Sequence, residues 1–151
     1  MQGDWLPVSH IQQTNDGDCL PVCVEMVLRY WNLSVNPRRL RRTLGTRWFG
    51  TPFENVHNLA GVKVMTEHLL LPQLRSYLER SIPVIPGIRT GELGYWNEED
   101  TDHAVVVLGV DAGIAIVNDP ILPFGHQQIP ISELELARIA FDDLCAVVTP
   151  K

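Results

Sequence analysis

At 151 residues, 45% hydrophobic and 20% charged, the chain is long enough for one compact domain with a core, too short for two, and too apolar for disorder. Its net charge of -6 argues against a nucleic-acid partner, because the phosphate backbone needs a basic face. No stretch approaches the ~18 apolar residues of a membrane span, and residues 1–9 carry Asp4 and Pro7 in place of the apolar core of a signal peptide.

Residues 1–17 read as loop. A helix is expected from Cys19 or Leu20 to Trp31, with Asp18 as its N-cap and Pro21 in the first turn, where a missing N–H costs little. Asn36-Pro37 opens a second helix that Gly45 closes. It carries most of an arginine cluster, Arg38, Arg39, Arg41, Arg42 and Arg47, which reads either as a solvated face or as a contact for an acidic partner. The capping-box spacing of Thr51 and Glu54 predicts a third helix ending at Gly61. A fourth spans 70–80. The second half turns β-branched, and strands are expected at 83–89, 103–110, 114–118 and 145–149, with one more helix over 132–140. Both faces of 103–108 are apolar, the pattern of a strand covered on both sides and central in its sheet. Helices first and sheet second give an α+β layout.

Three cysteines, an odd number without an export signal, point to reduced thiols in the cytoplasm. Cys19 follows the turn-forming run Asp16-Gly17-Asp18 and stands at a helix start. There the dipole and free backbone N–H groups favour the reactive thiolate. Gln13, six residues upstream, is placed to point an amide N–H at the oxyanion that forms when a thiolate attacks a carbonyl, although Gln12 is a neighbouring alternative. His103 begins the expected central strand, and Asp119 ends the next one. A five-residue turn centred on Asp111 sets the two face to face, where the carboxylate orients the imidazole. A tight turn at Ala112-Gly113 instead puts Asp119 opposite Val106, on the wrong face. His10, His57, His68 and His126 read as structural or surface residues, and Cys23 and Cys145 as core filler. No spacing suggests a metal site, and no cofactor is expected.

Gln13, the run Asp18-Cys19-Leu20-Pro21-Val22-Cys23, His103 with its apolar tail, and Asn118-Asp119-Pro120 together resemble the bacteriocin-processing cysteine peptidases, papain-like domains that cut leader peptides after a double glycine. The resemblance spans about residues 10–120. It implies a papain-like fold with an N-terminal helical part packed on a C-terminal antiparallel sheet. It also implies Cys19 as nucleophile, His103 as base, Asp119 as orienting acid and Gln13 as oxyanion donor, acting on a peptide or protein. Leu20 stands where that family commonly has glycine, and no transporter segment accompanies the motifs, so the chain reads as a stand-alone member with its own substrate. Glutamine deamidation or acyl transfer uses the same thioester chemistry, and a peptide-binding role needs none of it. Residues 90–102, with Tyr95, Trp96 and four acids, read either as a flap over the cleft or as a solvated loop.

Overall fold

The computed structural model describes residues 5–151. Helix α1 (Cys19–Tyr30) is followed by α2 (Pro37–Thr43), strand β1 (Val62–His68), helix α3 (Leu71–Glu79) and strand β2 (Ile85–Arg89). Strands β3 (Asp102–Ala104), β4 (Val106–Asp111), β5 (Ile114–Asn118) and β6 (Gln127–Pro130) come next, then helix α4 (Ile131–Arg138) and strand β7 (Leu144–Pro150). The strands form two antiparallel sheets, one ordered β1-β7-β2-β3 and the other β4-β5-β6. A backbone bridge between Val84 and Val107 joins them.

The expected central strand is therefore two strands. The chain leaves the first sheet after Ala104 and enters the second at Val106, which places this segment at the seam. Its two apolar faces are used as their alternation requires. Ala104, Val106 and Leu108 pack with Val24 and Val27 of α1, while Val105 and Val107 pack with Leu74 of α3 and Leu134 of α4. The sheets are thus covered on both faces, by α1 and α2 on one side and by α3 and α4 on the other.

Two local expectations are corrected, and one strand was not foreseen. The segment after Thr51 is not an α-helix but a 3-10 turn over Phe53–Asn58, and β1 begins just past Gly61. The Thr51 hydroxyl is engaged elsewhere: it donates to the Gly17 carbonyl at 3.0 Å and sits 2.9 Å from the Thr46 hydroxyl. Strand β6 carried too little alternation in sequence to be foreseen. Asp18 is not a side-chain cap for α1. Its carboxylate, 4% exposed, instead accepts from Arg41 Nε at 3.0 Å and Asn15 Nδ2 at 3.2 Å. Arg41 is thereby taken out of the arginine cluster, whereas Arg38, Arg39, Arg42 and Arg47 are exposed.

The turn that carries Arg47 packs against Gly17, two residues before Cys19. A Cβ at Gly17 would overlap the Arg47 carbonyl and crowd the Gly50 nitrogen, both backbone atoms that cannot swing away. Gly17→Ala is expected to cost about 2 kcal/mol and to lower the melting temperature by about 4–8 °C, read by thermal unfolding. A variant as stable as wild type would contradict this packing.

Candidate active site

Helix α1 begins at Cys19 because a 3-10 turn over Asp16–Asp18 delivers the chain into it and Pro21 tolerates the third helical position. With its side chain turned toward Arg41, Asp18 does not cap the first turn. Cys19 is half-buried and borders a cleft of about 890 Å³, which Gln13, Trp96 and His103 also line. Leu20 borders the cleft too but is only 2% exposed, its side chain packed into the core. Cys23 and Cys145 are fully buried. Burial pushes the Cys23 thiol well up, helped by the charges of Cys19 and Asp119. Burial raises Cys145 to about 11, although Arg138 opposes it.

His103 Nε2–H donates to Asp119 Oδ1 at 2.6 Å, with both side chains buried. The register that achieves this is neither of those expected. The hairpin has the tight turn, with Ala112 and Gly113 at φ 52° and 83° and Asp111 opposite Ile114. That turn alone would carry Asp119 to the wrong face. A bulge between Val107 and Gly109 then leaves Leu108 as an extra residue, so that Val106 lies opposite Asn118. Carried one step beyond the paired residues, this register sets Asp119 across from Val105, two residues from His103 and hence on its face. The bulged Leu108 carbonyl is not orphaned, since it accepts from Leu6 N–H at 3.0 Å.

The remaining ring nitrogen of His103 is free of Asp119, and Cys19 borders the same cleft, near enough to help raise the histidine's pKa. Burial alone would lower the His103 pKa, but the hydrogen bond to Asp119, the nearby Cys19 and the charges of both outweigh it and raise it to about 9. Burial disfavours the Asp119 carboxylate, yet His103, Tyr95 and the Ile121 N–H hold its pKa below the ordinary value. The result is an imidazolium–carboxylate pair near Cys19 at a helix tip.

Gln13 also lies in the cleft, tied to the triad strand by its backbone N–H, which donates to the Pro120 carbonyl at 2.7 Å. Its Nε2 donates to the Asn15 carbonyl at 2.8 Å and more loosely to Asp16 at 3.4 Å. Gln12, the alternative, reaches toward Ile121 O at 3.4 Å and does not line the cleft. Three of the other histidines bond away from the cleft: His10 to Leu122 O, His57 to Thr66 Oγ1 and His68 to Asp142 O.

The segment 90–102 is exposed along residues 97–102, while Tyr95 and Trp96 turn inward. It folds as two 3-10 turns, Thr90–Glu92 and Gly94–Trp96, and closes on the acid. Tyr95 O–H and Trp96 Nε1–H both donate to Asp119 Oδ2, at 2.5 and 3.1 Å, and the Trp96 ring meets His103 edge-on with centroids 4.8 Å apart. The sequence leaves these aromatics between a flap and a solvated loop, and nothing in it shows that they bond Asp119. An adjacent Tyr-Trp pair within an otherwise acidic stretch was the available signal.

Two antiparallel sheets between helical layers, with a cysteine at a helix tip facing a histidine–aspartate pair, define the papain-like class of α+β folds. The chain belongs to the Peptidase C39 family, whose model matches residues 7–151. Similar solved structures agree. A putative C39-like peptidase from Bacillus anthracis shares 15% identity over 96% of both chains, with a TM-score of 0.77. The peptidase domain of Streptococcus ComA, a bifunctional ABC transporter of a quorum-sensing pathway, shares 18% over 95% of this chain and 99% of its own, also at 0.77. A double-glycine-motif protease from an AMS/PCAT transporter, solved with its leader peptide, shares 20% over 100% of this chain and 97% of its own, at 0.71. No curated protein matches the chain in sequence. Among the described residues no helix is long and apolar enough to cross a membrane.

Proposed function

We propose that the chain is a single-domain cysteine peptidase that cleaves a peptide or protein through a thioester, with Cys19 as nucleophile and His103 as its acid and base. The observation that carries this reading is the His103 ring, held by Asp119 through one nitrogen, at the wall of the same open cleft that Cys19 borders. The Cys19 thiolate attacks the scissile carbonyl, and the negative charge that develops on oxygen is met by the Cys19 backbone N–H and by Gln13 Nε2. The looser bond of Gln13, to Asp16, is the one it gives up. The C–N bond breaks as His103 protonates the leaving amine, leaving the acyl group on sulfur. His103 then takes a proton from water, whose oxygen attacks the thioester, breaks the C–S bond and releases the acid and the Cys19 thiolate. Asp119 keeps the imidazole in one tautomer and stabilises its charged form.

The leader peptide in complex with the double-glycine-motif protease supports a peptide as the substrate here. Three free cysteines suit a reducing compartment such as the cytoplasm.

Iodoacetamide with peptide mapping tests the nucleophile. Cys19 is expected to be carboxamidomethylated first, at near-neutral pH. Cys23 and Cys145 are buried with raised pKa values, and they should react only once the protein unfolds. Preferential labelling of either buried thiol in the folded protein overturns the assignment.

A further inference from the structure

The Asp119 carboxylate is fully buried and accepts four hydrogen bonds, two on each oxygen. Oδ1 takes His103 Nε2–H at 2.6 Å and the Ile121 N–H at 3.0 Å. Oδ2 takes Tyr95 O–H at 2.5 Å and Trp96 Nε1–H at 3.1 Å. A carboxylate has no hydrogen to give, so the Tyr95 hydroxyl can only donate here, and its proton direction is fixed. Burial, followed by the Asp119 charge, pushes the Tyr95 ionisation far above its ordinary value, which keeps it a neutral donor.

Both Oδ2 donors come from one loop, and that loop is fastened at three points. Thr90, fully buried, donates to the Glu99 carbonyl at 2.6 Å and accepts the Thr101 N–H at 3.0 Å, pinching the base of the loop. Arg89 spans Asp100 and Asp102. Gly94 N–H donates to Glu133 Oε1 of α4 at 3.0 Å, immediately before Tyr95. A mounting this rigid holds Tyr95 and Trp96 as preset donors rather than as a mobile cover.

We propose that Tyr95, with Trp96 beside it, is a positioning residue for the Cys19–His103 pair, fixing the rotation of the Asp119 carboxylate and drawing charge out of it. This rests on the reading of Cys19 and His103 given above. Two effects follow. With Oδ2 pinned, Oδ1 is presented to His103 in one direction. With charge drained toward two donors, Asp119 is a weaker base, so the imidazolium is supported without being held too tightly to release its proton. The titratable groups facing the pair are Cys19, Cys23 and Tyr95, with Glu133 behind Tyr95.

The rate of Cys19 alkylation by iodoacetamide, followed against pH by mass spectrometry, tests this in wild type, Tyr95→Phe, Trp96→Phe and His103→Ala. Wild type is expected to show an inflection that His103→Ala removes. In Tyr95→Phe that inflection moves upward by roughly half a pH unit or more, because a hydrogen bond to a charged group has been lost. Trp96→Phe moves it the same way by less, and it carries the test should Tyr95→Phe not fold. The proton resonance of His103 Nε2–H shifts in both variants. A merely structural role for the loop would lower the melting temperature and leave inflection and resonance where they are, and that result overturns the inference alone. A wild-type profile indifferent to His103→Ala removes the Cys19–His103 reading and this inference with it.

Discussion

Replacing Cys19 by alanine is expected to reduce peptide cleavage by about 10⁴-fold or more while leaving the fold intact, because every covalent step depends on that one sulfur. The side chain sits at the wall of the cleft, half-exposed, so its removal opens no sealed cavity in the core. Cys23, one helical turn away, cannot substitute. It is fully buried, and its thiol is pushed away from the thiolate form by that burial and by the negative charges of Cys19 and Asp119. Cleavage of a peptide library followed by mass spectrometry reads the effect, with thermal unfolding as the control on folding. Unchanged cleavage by the variant would remove the thiol from the chemistry.

Asp119→Asn is expected to be damaging in a different way, because four donors converge on two oxygens and an amide supplies only one acceptor. If the amide oxygen faces His103 and the Ile121 N–H, the amide N–H₂ meets Tyr95 and Trp96. Tyr95 can turn its hydroxyl to accept, but the indole N–H cannot. The reverse orientation sets N–H₂ against the imidazole. Turnover should fall by about 10²–10⁴-fold, and stability by about 3 kcal/mol, or roughly 6–12 °C in melting temperature.

The pH dependence has a definite sign. The folded pKa of Asp119 is lowered, so its contribution is present above the ordinary carboxylate range and is lost as pH falls through the lowered value. The folded pKa of His103 is raised from 6.5 to about 9, so its contribution is complete below about 6.5 and is lost as pH rises through about 9. Wild-type stability should therefore sag on the alkaline side as well as the acid side, and Asp119→Asn should flatten both limbs. Thermal unfolding across that range checks it, and parallel profiles for the two proteins would show that the pair contributes nothing.

Much of this architecture was written in short-range patterns. The Asn36-Pro37 start, the Gly45 stop and the β-branched runs gave α2, β2, β5 and β7 to within a few residues because local capping and alternation decide those elements. The α+β papain-like arrangement followed from the resemblance, and the comparisons with solved structures carry it. What escaped was whatever depends on long-range partners. Thr51 has a capping sequence, but Gly17 claims its hydroxyl. Asp18 has a cap's position, but Arg41, 23 residues away, claims its carboxylate. For His103 and Asp119 the expected proximity is present while the expected register is not. No sequence rule announces a bulge at Leu108, whose carbonyl is satisfied by Leu6 from the far end of the chain. The acidic stretch 90–102 likewise shows its purpose only when Tyr95 and Trp96 are seen to end on Asp119.

The extra residue at Leu108 makes the length of the 106–118 hairpin an odd-or-even matter. Removing or adding one residue there reverses which way Asp119 looks relative to His103, while a change of two restores it. Relatives that keep a histidine and an acid at these places should therefore differ in hairpin length by even steps, or else carry a second irregularity that undoes the first.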